Sequence, residues 1–420
     1  MAKAPVAKRA QTFTLVKGAG APMGRRGQQQ RSDNHTTRRV PPQPTVRDPR
    51  TATFIEEANY AMEALGFPCS VAKGSGGLAV YASRNISAGE RVLVERPLAL
   101  TVAHELRAQV CAVCLADCRA GPDASMERWP RRCTGCECVA YCSEACEAAG
   151  ERWHTSVECS ALRAVKADDD VDEDIADVVA QAVRILSDRH LGKTVDCGPA
   201  GPVGYHSYAQ RLVGITPSTA EAVDFLRRSV RAALRALPEE ARVPHPEALD
   251  LLERHGCNLY GVSGQAGEER ACASFVGFFH LLNHACCPNV VFDAATLVAP
   301  ATAADVPPTF ALVALEDVAA GDELCISYTS SAEGPAQRSE HLEEYYGFVC
   351  SCRRCTCNDV GLELDFLERL DAKRCGLDEC GSGFGVPASV GTHGSAANRG
   401  AEPTWLRCVH CGECWPPEDD

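Results

Sequence analysis

The chain has 420 residues, 45% of them hydrophobic and 23% charged, an ordinary globular composition for roughly two or three packed units. No apolar run approaches the roughly 18 residues that cross a bilayer, so a membrane-spanning protein is excluded. Net charge is −14, yet residues 1–50 hold 11 Lys and Arg against the acids Asp33 and Asp48, so the rest is strongly acidic and is not built to bind nucleic acid. In chain order, residues 1–55 read as a basic, disordered arm rich in Pro, Gln and Arg. Its charge suits weak contact with nucleic acid, a nuclear or organellar address, or a plain solvated tail. It has no apolar core of the secretory type, so nucleus or cytoplasm is expected, with organellar targeting left open. Ala79-Val80-Tyr81-Ala82 and Arg91-Val92-Leu93-Val94-Glu95, separated by an Ala-Gly turn, predict a hairpin. Residues 160–255 are rich in Ala, Leu, Arg and Glu and predict helices. Ser218-Thr219-Ala220-Glu221 reads as a capping box, with Val223, Leu226, Val230, Leu234 and Leu237 following at helical spacing up to Pro238. The acidic run Asp168 to Asp174 is expected to cap another helix. The hairpin pattern recurs in Phe310 to Leu315, a turn at Ala320-Gly321-Asp322, and Leu324 to Tyr328. Residues 381–401, rich in Gly, Ser and Ala, predict a flexible insertion.

The 25 cysteines, an odd number in a chain without a secretory signal, point to metal ligands rather than disulfides. Nine fall in 111–159 and nine in 350–414. The first cluster reads Cys111-x2-Cys114, Cys133-x2-Cys136, Cys142-x3-Cys146, then His154 and Cys159. Those eight ligands are what two closed tetrahedral zinc sites require. The segment has few large apolar residues, so metal would supply its stability. Cys118 and Cys138 are left over. Farther on, Cys375-x4-Cys380 and Cys408-x2-Cys411, with Cys414 nearby, suggest another zinc-binding unit, a small ribbon.

Tyr141-Cys142-Ser143-Glu144-Ala145-Cys146, with Trp153-His154 and Cys159 behind it, resembles a MYND zinc finger. By that resemblance the ligands alternate: Cys111, Cys114, Cys142 and Cys146 on one zinc, Cys133, Cys136, His154 and Cys159 on the other. It departs from the usual pattern in a long spacer between Cys114 and Cys133 and in four residues, rather than three, between His154 and Cys159. MYND fingers bind proline-rich peptides, so proline-rich protein partners are implied. Asn283-His284-Ala285-Cys286-Cys287-Pro288-Asn289 resembles the NHSCxPN motif of SET-domain protein-lysine methyltransferases, with Ala285 in place of Ser. Gly321-Asp322-Glu323-Leu324-Cys325-Ile326-Ser327-Tyr328 is similar to that family's GEELxISY strand. Cys350-x-Cys352-x2-Cys355 is similar to its post-SET zinc knuckle, and Tyr81 to Ile86, Gly89-Glu90 and Glu95-Arg96-Pro97 are similar to its opening hairpin. A MYND finger interrupting the SET region is the layout of the SMYD family, and the resemblance covers residues 66–357.

The resemblance implies an α+β fold, a β-rich SET core (66–105 and 256–330) split by a MYND finger (111–159) and a helical insertion (160–255). A post-SET knuckle (340–357) and a Cys-rich tail (358–420) complete it, in a monomer. The implied activity is protein-lysine N-methylation, on a histone or another protein, with S-adenosylmethionine as methyl donor. By the same resemblance, Tyr328 and Tyr346 are the catalytic residues lining the lysine channel. Asn283, His284 and Tyr328 match cofactor-binding positions, the first two holding the donor's amino-acid and adenine portions. Phe348 matches a ring that packs on the adenine, and Asn258 a residue near the cofactor. Cys286 matches the cysteine that joins Cys350, Cys352 and Cys355 on a third zinc, with Cys287 and Cys357 as competitors; a fourth zinc would use Cys375, Cys380, Cys408 and Cys411. SET domains usually carry Gly-x-Gly before the first hairpin strand. Here the ungapped match is Gly77-Leu78-Ala79, so either Ala79 is tolerated or the loop shifts so that Gly74-Ser75-Gly76 or Gly76-Gly77 makes the close approach. The same departure suits a second reading, a catalytically weak SET and MYND scaffold that binds proline-rich partners. MYND spacing lacks the reading helix of DNA-binding fingers.

Overall fold

A computed structural model of the chain describes residues 45–47, 50, 52–74, 77–120, 127–151, 153–196, 202–204, 211–217, 219–263, 269–293, 309–329 and 333–356, and the short pieces 375, 385–387, 406–409 and 413–415. The ordered fold begins inside the expected arm. Strand Thr45–Arg47 pairs antiparallel with Gly214–Thr216. Helix Ala52–Ala64 comes next, burying Ala58 and Met62. Phe54 and Ile55 pack on the same core, so apolar residues at helical spacing give this helix a buried side that an arm ending at residue 55 did not allow for. Asn59 fixes it to the next strand: its Nδ2 donates to the Val71 carbonyl at 2.9 Å and its Oδ1 accepts from the Val71 N–H at 2.6 Å.

Strands Cys69–Gly74 and Gly77–Ala82 form a hairpin in register from Cys69 opposite Ala82 to Gly74 opposite Gly77. Gly77 takes a φ of +123°, which only glycine adopts easily at such a turn. This hairpin replaces the one expected between 79–82 and 91–95. Strand Arg91–Glu95 instead pairs with Phe310–Ala314, which pairs on its other edge with Val290–Asp293. The second expected hairpin fails in the same way, because Cys325–Ile326 runs parallel to Asn283–His284. The two turns pair with each other rather than closing hairpins. Ile86 and Val318 exchange backbone hydrogen bonds of 2.9 and 2.8 Å, and the Gly321 N–H donates to the Ala82 carbonyl at 2.8 Å. Leu93, Leu312 and Leu324 are fully buried, and such strands take partners from distant parts of the chain. A third sheet joins Leu259–Ser263, Glu269–Ser274 and Ala99–Val102.

The sheets enclose an aromatic core. Tyr260, Phe275, Phe279, Phe292 and Phe310 stand with ring centroids 4.8 to 6.0 Å apart, mostly edge to face. Glu95, fully buried at the end of its strand, clasps the segment that leads into the site. Its two oxygens accept from the N–H groups of Val276, Gly277, Phe278 and Phe279 at 2.5 to 3.0 Å. Burial pushes the Glu95 carboxyl above its ordinary pKa and the four donors pull it back.

Helices Ser156–Lys166, Glu173–His190, Ala220–Ala236 and His245–Gly256 fill the region between the cysteine cluster at 111–159 and the core. Asp172, in the acidic run, caps Glu173–His190 by accepting from the Ile175 N–H. Asp168 and Asp172 also bind Arg235 at 2.8 Å and Arg228 at 2.6 Å, tying the run to helix Ala220–Ala236. That helix starts one residue later than the capping box implied: Thr219 is the cap, accepting from the Ala222 N–H at 3.2 Å, and Ser218 lies outside the described residues. Leu162, Ile175, Val179, Val183, Val230 and Leu251 share one core with Val139, Tyr141 and Cys146 of the cysteine cluster, so cluster and helices fold as one body. Among the described residues no helix is long and apolar enough to cross a membrane.

At the C-terminal end, Gly385–Pro387, Leu406–Cys408 and Cys414–Trp415 form a small sheet. Its first strand falls within the expected flexible insertion, where Gly385 is pressed so close that a Cβ would meet the Trp415 ring at 2.7 Å. Val386 and Val409 cover Val313, and Arg407 binds Asp293 with bonds of 3.0 and 2.7 Å.

The clasp gives a stability test. Glu95→Ala strands buried N–H groups at about 1–3 kcal/mol each, whereas Glu95→Gln keeps one acceptor. The thermal unfolding midpoint should fall by about 6 °C or more for Glu95→Ala, at about 2–4 °C per kcal/mol, and by distinctly less for Glu95→Gln. Equal midpoints in all three proteins would contradict the clasp.

Candidate active site and metal centres

The site is built around a chain crossing. Asn283–His284 lies parallel to Cys325–Ile326, and the Ala285 N–H donates to the Ile326 carbonyl at 3.0 Å. Asn289 brackets the crossing, with its Oδ1 accepting from the Cys325 N–H and its Nδ2 donating to the Glu323 carbonyl, both at 2.8 Å. His284 Nδ1 accepts the Tyr328 N–H at 2.8 Å, which places the ring proton on Nε2, 3.2 Å from Cys286 Sγ. Burial pushes the His284 pKa down to about 4, so the ring is neutral near pH 7.

The crossing gathers four rings from three separate stretches of sequence. Tyr328 and Tyr346 lie 4.8 Å apart, and Phe348 stands 6.5 Å from each and 6.1 Å from His284. The Tyr328 hydroxyl donates to the Leu282 carbonyl at 2.5 Å. The Tyr346 hydroxyl is buried and finds no hydrogen-bond partner among the described residues. Burial raises the pKa of both phenols, keeping them protonated. Phe348, by contrast, is 37% exposed, an unusual state for a large ring beside a core. It comes directly after Gly347, whose φ of +72° ends helix Pro335–Tyr346 and turns the chain back over the site.

The remaining expected residues take distinct places. Asn283 Nδ2 donates to the Leu78 carbonyl at 3.1 Å and to Glu323 at 2.8 Å, which ties the first hairpin to the crossing. Asn258 is buried, its Nδ2 donating to the Val213 carbonyl at 2.9 Å and the Arg254 carbonyl at 2.8 Å, so its amide nitrogen joins the helical insertion to the core. A Cβ on Gly77 would meet nothing within 4 Å, so the hairpin tip offers open space. Gly76 lies outside the described residues. Ala79, standing at the Gly-x-Gly departure, is fully buried within the hairpin.

Three groups of four donors come together, with the donor atoms of each within 4.8 Å of one another: Cys111, Cys114, Cys142 and Cys146; Cys133, Cys136, His154 and Cys159; and Cys286, Cys350, Cys352 and Cys355. The pairing alternates along the sequence. Sets of four thiolates, or three with an imidazole, suit tetrahedral zinc. In the third group the member is the buried Cys286, while the neighbouring Cys287 is exposed; Cys357 lies outside the described residues. Cys375 and Cys408 are buried together beside Trp415, and Cys380 and Cys411 lie outside the described residues. The sequence reading missed a support of the second group. Buried Glu158 accepts from His154 Nδ1 at 3.1 Å and from Arg184 Nε at 2.7 Å, which leaves Nε2 unprotonated and facing Cys136 Sγ at 3.4 Å, where it could hold a metal. The His154-x3-Glu158 spacing was its only trace in the sequence.

A SET-domain family model matches residues 77–329, from the hairpin tip to the residue after Tyr328. The chain is 28% identical over 283 residues to human histone-lysine N-methyltransferase SMYD3, covering 66% of this chain and 58% of that protein. It is 23% identical over 294 residues to rat N-lysine methyltransferase SMYD2, covering 69% and 60%. It is 34% identical over 128 residues to a SET and MYND domain-containing protein of Dictyostelium discoideum, covering 28% and 22%. The chain belongs to the SET-domain family, and these two methyltransferase relatives are of the SMYD type. The matched region spans about three fifths of the SMYD relatives' length.

Metal content separates the ligands. Cys286→Ser should lower bound zinc by one ion per chain in elemental analysis, while Cys287→Ser leaves it unchanged. Glu158→Ala should weaken one finger ion by about 10–100-fold in a chelator competition. Equal zinc in the Cys286 and Cys287 variants would overturn the third group.

Proposed function

We propose that this protein is an S-adenosylmethionine-dependent protein-lysine N-methyltransferase. The observation that carries the reading is the meeting of Tyr328, Tyr346, Phe348 and His284 at the chain crossing, under the Cys286, Cys350, Cys352 and Cys355 group. The residues fit the cofactor: the Tyr346 hydroxyl is a buried polar atom without a partner among the described residues, the Phe348 ring is partly exposed, and the space beside Gly77 is open.

Bound here, S-adenosylmethionine would supply an electrophilic methyl group on a sulfonium. The rest is alignment, which these residues provide. The Tyr328 hydroxyl directs its proton into the hydrogen bond to Leu282, so its oxygen turns only lone pairs toward the channel and can accept from the substrate amine. The Tyr346 hydroxyl supplies a second polar contact. The aromatic walls strip water from a lysine side chain and lower its pKa, which favours the neutral, nucleophilic amine. His284 spends both ring nitrogens within the protein and holds the Tyr328 backbone in place. Asn283 has its amide oxygen left for a ligand, since its nitrogen is committed to Leu78 and Glu323. Phe348 is set to pack on the adenine.

The proposal includes zinc in all three four-donor groups, and a MYND finger over 111–159 that recruits proline-rich partners. Similarity to a SET and MYND domain-containing protein supports the finger. A monomer in nucleus or cytoplasm fits the acidic body. The substrate is a histone or another protein, read from the relatives' names.

The test is transfer of labelled methyl to arrayed proteins and lysine peptides. Wild type should label lysines, and Tyr346→Phe and Tyr328→Phe should each lose about 10²-fold in rate or change the number of methyl groups added. Folded, zinc-loaded wild type that transfers nothing across a broad array would overturn the enzyme reading in favour of the scaffold.

A further inference from the structure

Glu323 stands at the chain crossing, two residues before strand Cys325–Ile326, and the motif likeness gives its side chain no role. Its backbone is held from two sides. On one, its carbonyl accepts from Asn289 Nδ2 at 2.8 Å. On the other it bridges Tyr81 of the first hairpin, where the Ala82 N–H donates to the Asp322 carbonyl at 2.8 Å and the Leu324 N–H to the Val80 carbonyl at 2.7 Å. The half-buried carboxylate is thus carried to a fixed place, where Oε1 accepts from Asn283 Nδ2 at 2.8 Å. Among the described residues no Lys or Arg forms an ion pair with it.

Two acceptors decide how the Asn283 amide points. The Leu78 carbonyl and the Glu323 carboxylate have no proton to give, and they lie 3.1 and 2.8 Å from the same side-chain nitrogen. A flipped amide would set its oxygen against two other oxygens. Both Nδ2 protons are therefore spent, and Oδ1 faces away from the pair with no donor among the described residues. Donation to a carboxylate also polarises the amide, which makes Oδ1 a stronger acceptor. An oxygen so placed suits a cationic N–H donor, whose charge the carboxylate behind the amide also favours.

We propose that Glu323 is a positioning residue for methyl-donor binding, holding the Asn283 amide so that Oδ1 takes the α-ammonium of S-adenosylmethionine. The inference rests on the methyltransferase reading and deepens it. Glu323 acts through Asn283 and touches no reacting atom. Because Asn283 Nδ2 also holds the Leu78 carbonyl, the same amide ties the hairpin tip to the donor's amino-acid end. The α-ammonium is shared by S-adenosylmethionine and its product S-adenosylhomocysteine. It is absent from 5′-methylthioadenosine, which keeps the adenosine and the sulfur, so the two ends of the ligand can be probed apart.

The test is calorimetric binding of S-adenosylhomocysteine and 5′-methylthioadenosine to wild type, Glu323→Ala, Glu323→Gln and Asn283→Ala, with zinc content and thermal midpoint measured on each. Glu323→Ala should weaken S-adenosylhomocysteine about 10-fold or more and leave 5′-methylthioadenosine within about twofold of wild type. Glu323→Gln keeps the shape but can turn either end of its own amide to Asn283, so its loss should be smaller and confined to the same ligand. Adding Glu323→Ala to Asn283→Ala should cost nothing further, since the first acts only through the second. Equal weakening of both ligands, no weakening of either, or additive losses in the double variant would overturn the positioning role. A zinc-loaded wild type that binds neither ligand would overturn the methyltransferase reading, and this role with it.

Discussion

Every residue of the site is placed by one crossing of the chain, where Asn283–His284 runs beside Cys325–Ile326. These strands are two residues long and could not hold each other alone. Three anchors hold them: Asn289 bonds across to Glu323 and Cys325, His284 bonds to the Tyr328 backbone, and Glu95 clasps the segment leading into the crossing. Each anchor satisfies buried backbone groups that the crossing would otherwise leave without partners. Tyr328 takes its place because the strand before it is fixed. Tyr346 and Phe348 take theirs because Cys350, Cys352 and Cys355 meet Cys286 inside the crossing.

The Cys286, Cys350, Cys352 and Cys355 group and the aromatic site are therefore one mechanical unit. A metal on Cys286 would pin the C-terminal segment to the strand that carries His284, two residues away, and Arg354 adds a bond of 3.0 Å to the Cys286 carbonyl. The cysteine cluster at 111–159 stands apart from that chemistry but shares its core with the helical insertion, to which Asn258 of the SET core is bonded. Stability in the cluster and geometry at the site are coupled through packed helices rather than through a flexible linker.

Much of this was legible in the sequence. The eight donors of the first cluster were readable because short Cys-x2-Cys and Cys-x3-Cys spacings commit neighbouring sulfurs to one metal; their alternating pairing, and the place of Cys286 with Cys350, Cys352 and Cys355, came from family resemblance. The helices were readable from their periodicity and the Asp172 cap. Strand partners were not: Arg91–Glu95 and Gly77–Ala82 look like a hairpin, but each is buried, and its partner lies elsewhere in sequence. The end of the basic arm was misplaced because composition masked the few apolar residues, Phe54, Ile55, Ala58 and Met62, that dock the first helix. Glu95 gave no signal and Glu158 only its spacing from His154, since what each does depends on groups that only the fold brings near.

The most direct measurement is a crystal structure of the protein with S-adenosylhomocysteine and a lysine peptide. The account predicts adenine against Phe348, the sulfur turned toward Tyr328, and the lysine amine between the Tyr328 and Tyr346 hydroxyls. A cofactor bound elsewhere, or a lysine that enters by a path not lined by these two tyrosines, would contradict it.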